Sequence, residues 1–428
     1  MRLADVDQAA VQAALVEMKA RFETKDVSEH AAVARAHASL RHERNFHAVI
    51  GSFLSRNQTE LGIALEGWLT SRGAIWVKKP PRSRRLSQRQ VVADSPDLLD
   101  VGPQHRGDSP FTARMRLHQS WYRSSVLQVP CGTGPGPKHT QPLGSMLNRE
   151  AAAAGMNFLS PSIFDVVRRR IELGPGVEPY RCLHNLLSSQ PMCFNLFGPL
   201  VDNRELATAL FRALLPDEVE TVEGVRIEHA PKPINEYLGD GTSFDAFVEY
   251  RRHDGARAFI GIETKLTEPF SPGTYDRARY RELSEHPDSP WRADAEPFLA
   301  DSRWNQLWRN QLLAQALLTH AKSDYQGGSI MVLRHPQDDQ CAEAIQGYRR
   351  LLARPETFHA VSLDHLIRTW ARNIHDEATD EWLKAFAVRY VDLSASQHLA
   401  AAENSRPARP SSSMMGQGSN GPKGLWRS

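Results

Sequence analysis

Residues 243–267 read SFDAFVEYRRHDGARAFIGIETKLT, and how this stretch pairs with itself decides the fold. Two runs rich in apolar, aromatic and β-branched residues flank His253-Asp254-Gly255, the pattern of two strands joined by a tight turn. Loop length sets which side chains share a face, because a slip of one residue moves a whole strand's side chains to the opposite side. With a two-residue turn at Asp254-Gly255, Asp245 lies opposite Thr264 and points away from Glu263. With a three-residue loop, His253-Asp254-Gly255, and Gly255 in the left-handed region, Asp245 lies opposite Glu263. That second register also pairs Ala246 with Ile262 and Val248 with Ile260, which makes one apolar face. Asp245, Glu263 and Lys265 then occupy the other face beside Gly261. The register that makes a good core also gathers the charged set, so the three-residue loop is the expected one.

Opposed Cβ atoms in such a pair stand ~5 Å apart, close enough for both carboxylates to hold one hard cation. Mg²⁺ suits two carboxylates completed by water and a phosphate, with Mn²⁺ as the alternative ion. Lys265, two residues along on the same face as Glu263, can orient or deprotonate an attacking water and neutralise charge on a phosphate. The set therefore points to metal-dependent hydrolysis of a phosphodiester. A D…ExK pattern alone is loose, and a surface ion pair on a solvated strand is the competing reading.

Outward from the hairpin, TVEGVRIEHA (221–230) reads as a preceding strand, and the helical pattern of 202–215 comes before it, with Asp202 or Asn203 as cap. After an irregular segment over 268–302, SRWNQLWRNQLLAQALLTHAK reads as a helix, and GGSIMVLRH (327–335) as a strand buried on both faces. Two or three further helices carry the chain to about Leu393. The order helix, three strands, helix, strand describes a mixed sheet flanked by helices, the core spanning residues 201–395.

Residues 110–200 read as a helical segment packed on that core. Within it Arg114, Arg116, His118, Trp121, Tyr122 and Arg123 interleave basic and aromatic side chains, which can supply phosphate contacts and base stacking; a helix with a charged outer face is the alternative. PSIFDVVRRRIELG (161–174) has Pro161 at a helix start and Gly174 past its end. Pro191 and Gly198-Pro199 are expected to break the apolar helical pattern of 178–200. CGTGPGPKHT fails the phosphate-loop pattern, since Pro135 and Pro137 lack the N–H groups that cradle phosphate, so nucleotide hydrolysis is excluded. Residues 1–75 read as helical, including LGIALEGWLTSRG (61–73). Residues 76–109 read as a basic, then Pro/Gly-rich linker, and 396–428 as a disordered low-complexity tail.

The 428 residues allow two or three domains, and 41% apolar with 24% charged residues is the balance of a soluble globular protein. No apolar run is long enough to span a bilayer and the first residues form no signal peptide, so a cytoplasmic protein without membrane contact is expected. Cys131, Cys182, Cys193 and Cys341 have no CxxC spacing, which reads as free thiols rather than a zinc site or disulfides. A net charge of +2 excludes a histone-like polycation but not a local basic groove.

The Phe244-Asp245 pair, the hairpin, Glu263-Thr264-Lys265 and the following helix and strand resemble the αβββαβ core of the PD-(D/E)XK nuclease superfamily. RLHQSWYR, LHNLLSSQPMCFNLFGPL and SFDAF…IGIETKLTEPF together resemble a restriction-endonuclease-like group within it, over roughly residues 110–395. The resemblance implies Asp245, Glu263 and Lys265 as catalytic residues and the Thr264 carbonyl as a further metal ligand beside Asp245 and Glu263. Phe244 stands where the family name has proline. By analogy with members that use an acid from the first core helix, Glu205 is a supporting candidate, and Gln311, on the helix after ExK, is another. The implied activity is a Mg²⁺-dependent DNA endonuclease in restriction or antiviral defence, with a homodimer left open. The alternatives are a nuclease-fold protein that binds nucleic acid or a partner without cutting, and an RNase or exonuclease using the same site.

Overall fold

The structure, a computed structural model, describes residues 101–135, 141–271, 273–374 and 376–399, together with the backbone of two strands nearer the N-terminus. These two, β1 (Ile63–Leu69) and β2 (Gly73–Lys78), pair antiparallel with an irregularity between Leu65 and Gly67. They replace the helix expected over 61–73, and they take Trp76–Lys78 out of the expected linker. Short apolar runs satisfy helical and strand periods alike, and Ile63, Trp68, Ile75, Trp76 and Val77 favour extended backbone. The helical expectation for residues 1–62 and the disorder expected after 399 lie outside the described residues.

The next helix, α1 (Pro110–Trp121), starts at Ser109, whose hydroxyl accepts the Thr112 N–H at 3.2 Å, and runs on into a π-helical turn over Tyr122–Leu127. Strands β3 (Cys131–Thr133) and β4 (Pro142–Leu147) form a second small antiparallel pair. Helix α2 (Pro161–Glu172) has Ser160 as cap and Gly174 at φ +104° beyond its end. Helix α3 (Ser189–Val201) runs through both expected breaks. Pro191 falls in the first turn, where an N–H has no intrahelical partner, and Pro199 in the last, where the ring ends little helix. Helix α4 (Arg204–Leu214) is capped by Asn203, which accepts the Leu206 N–H at 3.0 Å.

Five strands form the central sheet in the order β5 (Thr221–His229), β6 (Phe244–Arg251), β7 (Arg257–Lys265), β8 (Gly327–Arg334), β9 (Phe358–Ser362). β5–β6 and β6–β7 are antiparallel; β7–β8 and β8–β9 are parallel. A parallel pair needs a crossover, and α5 (Asn305–Thr319) lies in the one from β7 to β8. The mixed α/β sheet flanked by helices matches the expected core. Strand β9 was not anticipated: FHAVS is too short to separate from the helices around it, α6 (Asp339–Arg349), α7 (Leu363–Asn373) and α8 (Glu377–Tyr390).

The central hairpin closes in the expected register. Ala246 pairs with Ile262, Val248 with Ile260 and Arg251 with Arg257. Arg252 N–H donates to Ala256 O at 2.9 Å, leaving His253, Asp254 and Gly255 as the loop, with Gly255 at φ +81°. One sheet face, including Ala246, Val248, Ile260, Ile262, Met331 and Leu333, packs on α2, α3, α4, α7 and α8. The other carries Phe244, Phe247, Phe259, Ile330 and Val332 against α5 and α6. Gly261 is required here, since a Cβ would stand 2.3 Å from the Phe244 ring. Its absence lets Phe244 lie across β7 and stack on Phe247 at 5.7 Å.

Among the described residues no helix is long and apolar enough to cross a membrane. All four cysteines are free, three of them buried, as their spacing implied.

Candidate active site

The antiparallel order brings the end of β5, the start of β6 and the end of β7 to one edge of the sheet. Ile227 pairs with Ala246 and His229 with Phe244, so Glu228 lies level with Asp245. Ala246 pairs with Ile262, and just beyond that pair Asp245 comes beside Glu263 and Thr264. Three carboxylates thus fall in a row across three strands, with Lys265 at the far end of β7.

The β6–β7 ladder stops at Ala246–Ile262. Beyond it the Asp245 carboxylate takes over, its Oδ2 accepting the Thr264 N–H at 2.7 Å and the Thr264 hydroxyl at 2.8 Å. Its Oδ1 accepts no hydrogen bond among the described residues. Burial, and then the charges of Glu263 and Glu228, hold the Asp245 carboxyl well above the usual range, against the lowering effect of the Thr264 N–H and Lys265. Glu263 is 5% exposed and fully engaged. Gln306 Nε2 donates to its Oε1 at 2.7 Å, Asn310 Nδ2 donates to its Oε2 at 2.8 Å, and Lys265 Nζ stands 2.9 Å from Oε1. Lys265 also donates to Gln306 Oε1 at 3.0 Å and sits 4.8 Å from the centre of the Phe270 ring. Burial works to lower its pKa, but the Glu263 charge and hydrogen bond outweigh that and hold it above the usual lysine value. Lys265 is therefore a firm cation in this arrangement, suited to neutralising charge rather than to removing a proton.

Glu228 is the site residue that the sequence did not disclose. It is 7% exposed, and its carboxylate accepts a hydrogen bond from Gln190 in the first turn of α3. Its backbone sits at φ +55°, a conformation rare for a non-glycine residue, and Arg170 holds it there by donating to the Ile227 and Glu228 carbonyls. Burial raises its pKa from 4.5 to about 7; the Gln190 hydrogen bond and Arg170 oppose the rise, and Glu263 adds to it. Between Ile227 and His229, strand alternation alone gives Glu228 nothing to mark it as a site residue. A short loop fixes the β6–β7 register, but the fourteen residues 230–243, without a tight turn, link β5 to β6, so the β5 register was not readable.

Two supporting candidates do not join the cluster. Glu205 is exposed in the first turn of α4, where it lines a surface cavity with residues 201–204, and it shares no hydrogen bond or ion pair with Asp245, Glu263 or Lys265. Gln311 points away, donating to Thr357 Oγ1 at 2.7 Å and accepting from the Tyr348 hydroxyl at 2.8 Å. On the same helix Gln306 and Asn310, one turn apart, face Glu263. Position 311 is rotated by about 100° from 310, which takes it off that face. The i, i+4 pair of amides was the signal available in the sequence.

The basic-aromatic segment on α1 is mostly internal. Arg116 pairs with Asp108 and donates to Ser145 Oγ at 3.0 Å. His118 is wholly buried, bonded to Ser396 Oγ at 3.0 Å and Val388 O at 2.9 Å. Tyr122 packs under Arg389, and Arg123 donates to Gly144 O at 2.7 Å and to Val129 O. Trp121 is half-buried, and only Arg114 stays exposed. These side chains satisfy backbone carbonyls and ion pairs of their own domain, so they hold α1 to β4, α8 and the C-terminal turn instead of forming a phosphate-binding face. Val101 and Leu399 are buried with Leu117, so the packed core reaches into the expected linker and into the expected tail.

Among the described residues no group of three or more His, Cys, Asp or Glu side chains is placed to hold a metal ion. The donors are those of an open site instead: the free Oδ1 of Asp245, Glu263 and the backbone beside them, where the charges of Glu228, Asp245 and Glu263 act on one another and Lys265 is buried against Glu263. That excess of negative charge fits a divalent cation, and two carboxylates leaving room for water and phosphate fit the coordination habits of Mg²⁺. Gln306 supports both Glu263 and Lys265, so Gln306→Ala is expected to lower cation affinity or activity by about 10- to 100-fold while changing thermal stability little. Calcium-binding calorimetry alongside melting curves checks this.

A family model described as the PD-(D/E)XK nuclease superfamily matches residues 106–392. Neither a curated protein nor a solved structure matches the chain.

Proposed function

Because the chain belongs to the PD-(D/E)XK nuclease superfamily, we propose that it is a divalent-cation-dependent endonuclease acting on DNA, of the restriction-endonuclease kind. The observation that carries the reading is the row Glu228, Asp245, Glu263 with Lys265 buried against Glu263 at 2.9 Å. Such a charge set is costly to bury unless it binds something, and a protein that only needed the fold gains nothing by keeping it. The choice of DNA and a defence role rest on likeness to restriction-endonuclease-like proteins.

Asp245, Glu263 and the Thr264 carbonyl would hold Mg²⁺ or Mn²⁺, with Glu228 beside them. When bound, the ion supplies Lewis-acid stabilisation of the charge that builds on a scissile phosphate. The chain's own residues do the rest. Thr264 fixes the Asp245 carboxylate through two hydrogen bonds, so its other oxygen is presented in one orientation. Gln306 and Asn310 fix both oxygens of Glu263. Lys265, kept protonated by Glu263, neutralises a non-bridging phosphate oxygen and orients the attacking water.

Purified protein incubated with closed circular DNA, linear DNA and RNA is expected to cut the DNA substrates, circles included, in Mg²⁺ and none in chelator. Cleavage confined to RNA or to DNA ends would replace the DNA endonuclease reading by an RNase or exonuclease. Binding of DNA without cleavage would replace it by a nucleic-acid-binding protein.

A further inference from the structure

We propose that Arg309 and Tyr275 grip the nucleic acid beside the carboxylate row, Tyr275 stacking on an unpaired base and Arg309 holding a backbone phosphate. The preferred substrate then carries a single-stranded segment next to the bond that is cut. This rests on the nuclease reading and names its substrate class.

Arg309 lies on α5 between the two amides that hold Glu263, with Gln306 three residues before it and Asn310 immediately after. Its guanidinium stands 4.3 Å from the centre of the Tyr275 ring and donates to Thr242 Oγ1 at 2.6 Å, three residues before Asp245. Asp240 forms an ion pair with it at 3.8 Å, and Arg309 Nε has no hydrogen-bond partner among the described residues. A guanidinium stacked on an aromatic ring and held by one hydroxyl and a long ion pair keeps donor capacity at its outer nitrogens; phosphate accepts such a fork in a planar geometry.

Tyr275 is 43% exposed although it is a large aromatic group. Its backbone is fixed to the start of α5, its N–H donating to Asn305 Oδ1 at 3.1 Å and its carbonyl accepting from Asn305 Nδ2 at 2.9 Å. The chain after β7 is anchored as well: Glu268 accepts the Ser189 N–H at 2.8 Å, and Ser271 N–H donates to Gln306 Oε1 at 2.8 Å. The ring is thus a fixed platform, one face against Arg309, Gly273 at its edge, and 43% of the residue exposed. Aromatic platforms of this kind bind bases through their π-faces, which are accessible only where the base is unstacked. A duplex presents phosphates but no such face.

Full-length protein, with Ca²⁺ in place of Mg²⁺ to prevent cutting, is titrated into fluorescent single-stranded, duplex and gapped-duplex oligonucleotides. Tyr275→Ala is expected to weaken single-stranded and gapped binding by about 5- to 100-fold and to leave duplex binding unchanged, while Tyr275→Phe binds as wild type. Arg309→Lys, checked for folding by its melting curve, weakens binding to every substrate and reduces its salt dependence. Equal binding of single strands by wild type and Tyr275→Ala overturns the proposal, as does equal loss of single-stranded and duplex binding. Wild type that binds and cuts duplex but not single-stranded or gapped DNA overturns it while leaving the nuclease reading intact; wild type that neither binds nor cuts any nucleic acid overturns both.

Discussion

Asp245→Asn is expected to raise the melting temperature of the metal-free protein at about pH 8 while reducing cleavage by more than about a thousandfold. Folding forces the Asp245 carboxyl into a pocket with Glu263 and Glu228 and raises its pKa. A group whose folded pKa is raised favours folding fully below its unfolded pKa, and that contribution is lost as pH rises through the folded value. Glu228 adds a window of its own, between 4.5 and about 7, which corresponds to on the order of 3 kcal/mol. The groups facing it are Arg170, Arg181, Gln190, Asp245 and Glu263, so the like charges of the site oppose two arginines. Wild type in chelator should therefore lose stability from about pH 4 to 8, and Asp245→Asn should lose less of it. Asparagine keeps a carbonyl oxygen for the Thr264 N–H and hydroxyl, so the exchange removes charge without removing those bonds. Mg²⁺ should raise the wild-type melting temperature, because a ligand that binds the folded state alone stabilises it, and should have little effect on the variant. A variant less stable than wild type at pH 8 in chelator contradicts the account.

The second large effect lies away from the site. Arg389 is wholly buried on α8, donating to Asn157 O at 2.8 Å, to Asn157 Oδ1 and to Gln119 Oε1 at 3.3 Å, with its guanidinium 5.0 Å from the centre of the Tyr122 ring and 4.8 Å from that of Tyr390. None of these partners is a carboxylate. The charge is held by carbonyl dipoles and two aromatic faces, an arrangement that needs every member in place. Arg389→Ala opens a cavity and strands two acceptors, Asn157 Oδ1 and Gln119 Oε1, which should cost about 3–5 kcal/mol. Denaturant unfolding measures it, with Arg114→Ala, exposed on the same assembly, expected to change stability by less than about 0.5 kcal/mol. A small loss at Arg389 would mean that α1 and α8 are not locked together, and would return the basic-aromatic segment to the list of nucleic-acid contacts.

What could be read from the sequence follows from how locally each feature is determined. The hairpin register was legible because one loop sets it, and the same loop puts Asp245 beside Glu263. The α4 cap, narrowed to Asp202 or Asn203, and the Pro161 start of α2 were legible because they depend on a few adjacent residues. Glu228 was not, because its position depends on a strand pairing closed by a long connection. Gln306 was not singled out because its helix carries amides at 305, 306, 310, 311 and 315, and only packing shows which of them face Glu263. The misreading of Arg116, His118 and Arg123 has another cause. Basic side chains beside aromatic ones look alike whether they reach out to phosphate or back to carbonyls such as Gly144 O and Val388 O. Only tertiary placement separates the two.

The central claim is that Asp245, Glu263 and Lys265 form one phosphodiesterase centre. The most direct test is conversion of closed circular DNA to nicked or linear form in Mg²⁺ by wild type and by Asp245→Ala, Glu263→Ala and Lys265→Ala, each shown to be folded by its melting curve. The account predicts cutting by wild type and none by any of the three. Undiminished cutting by the three variants would contradict it.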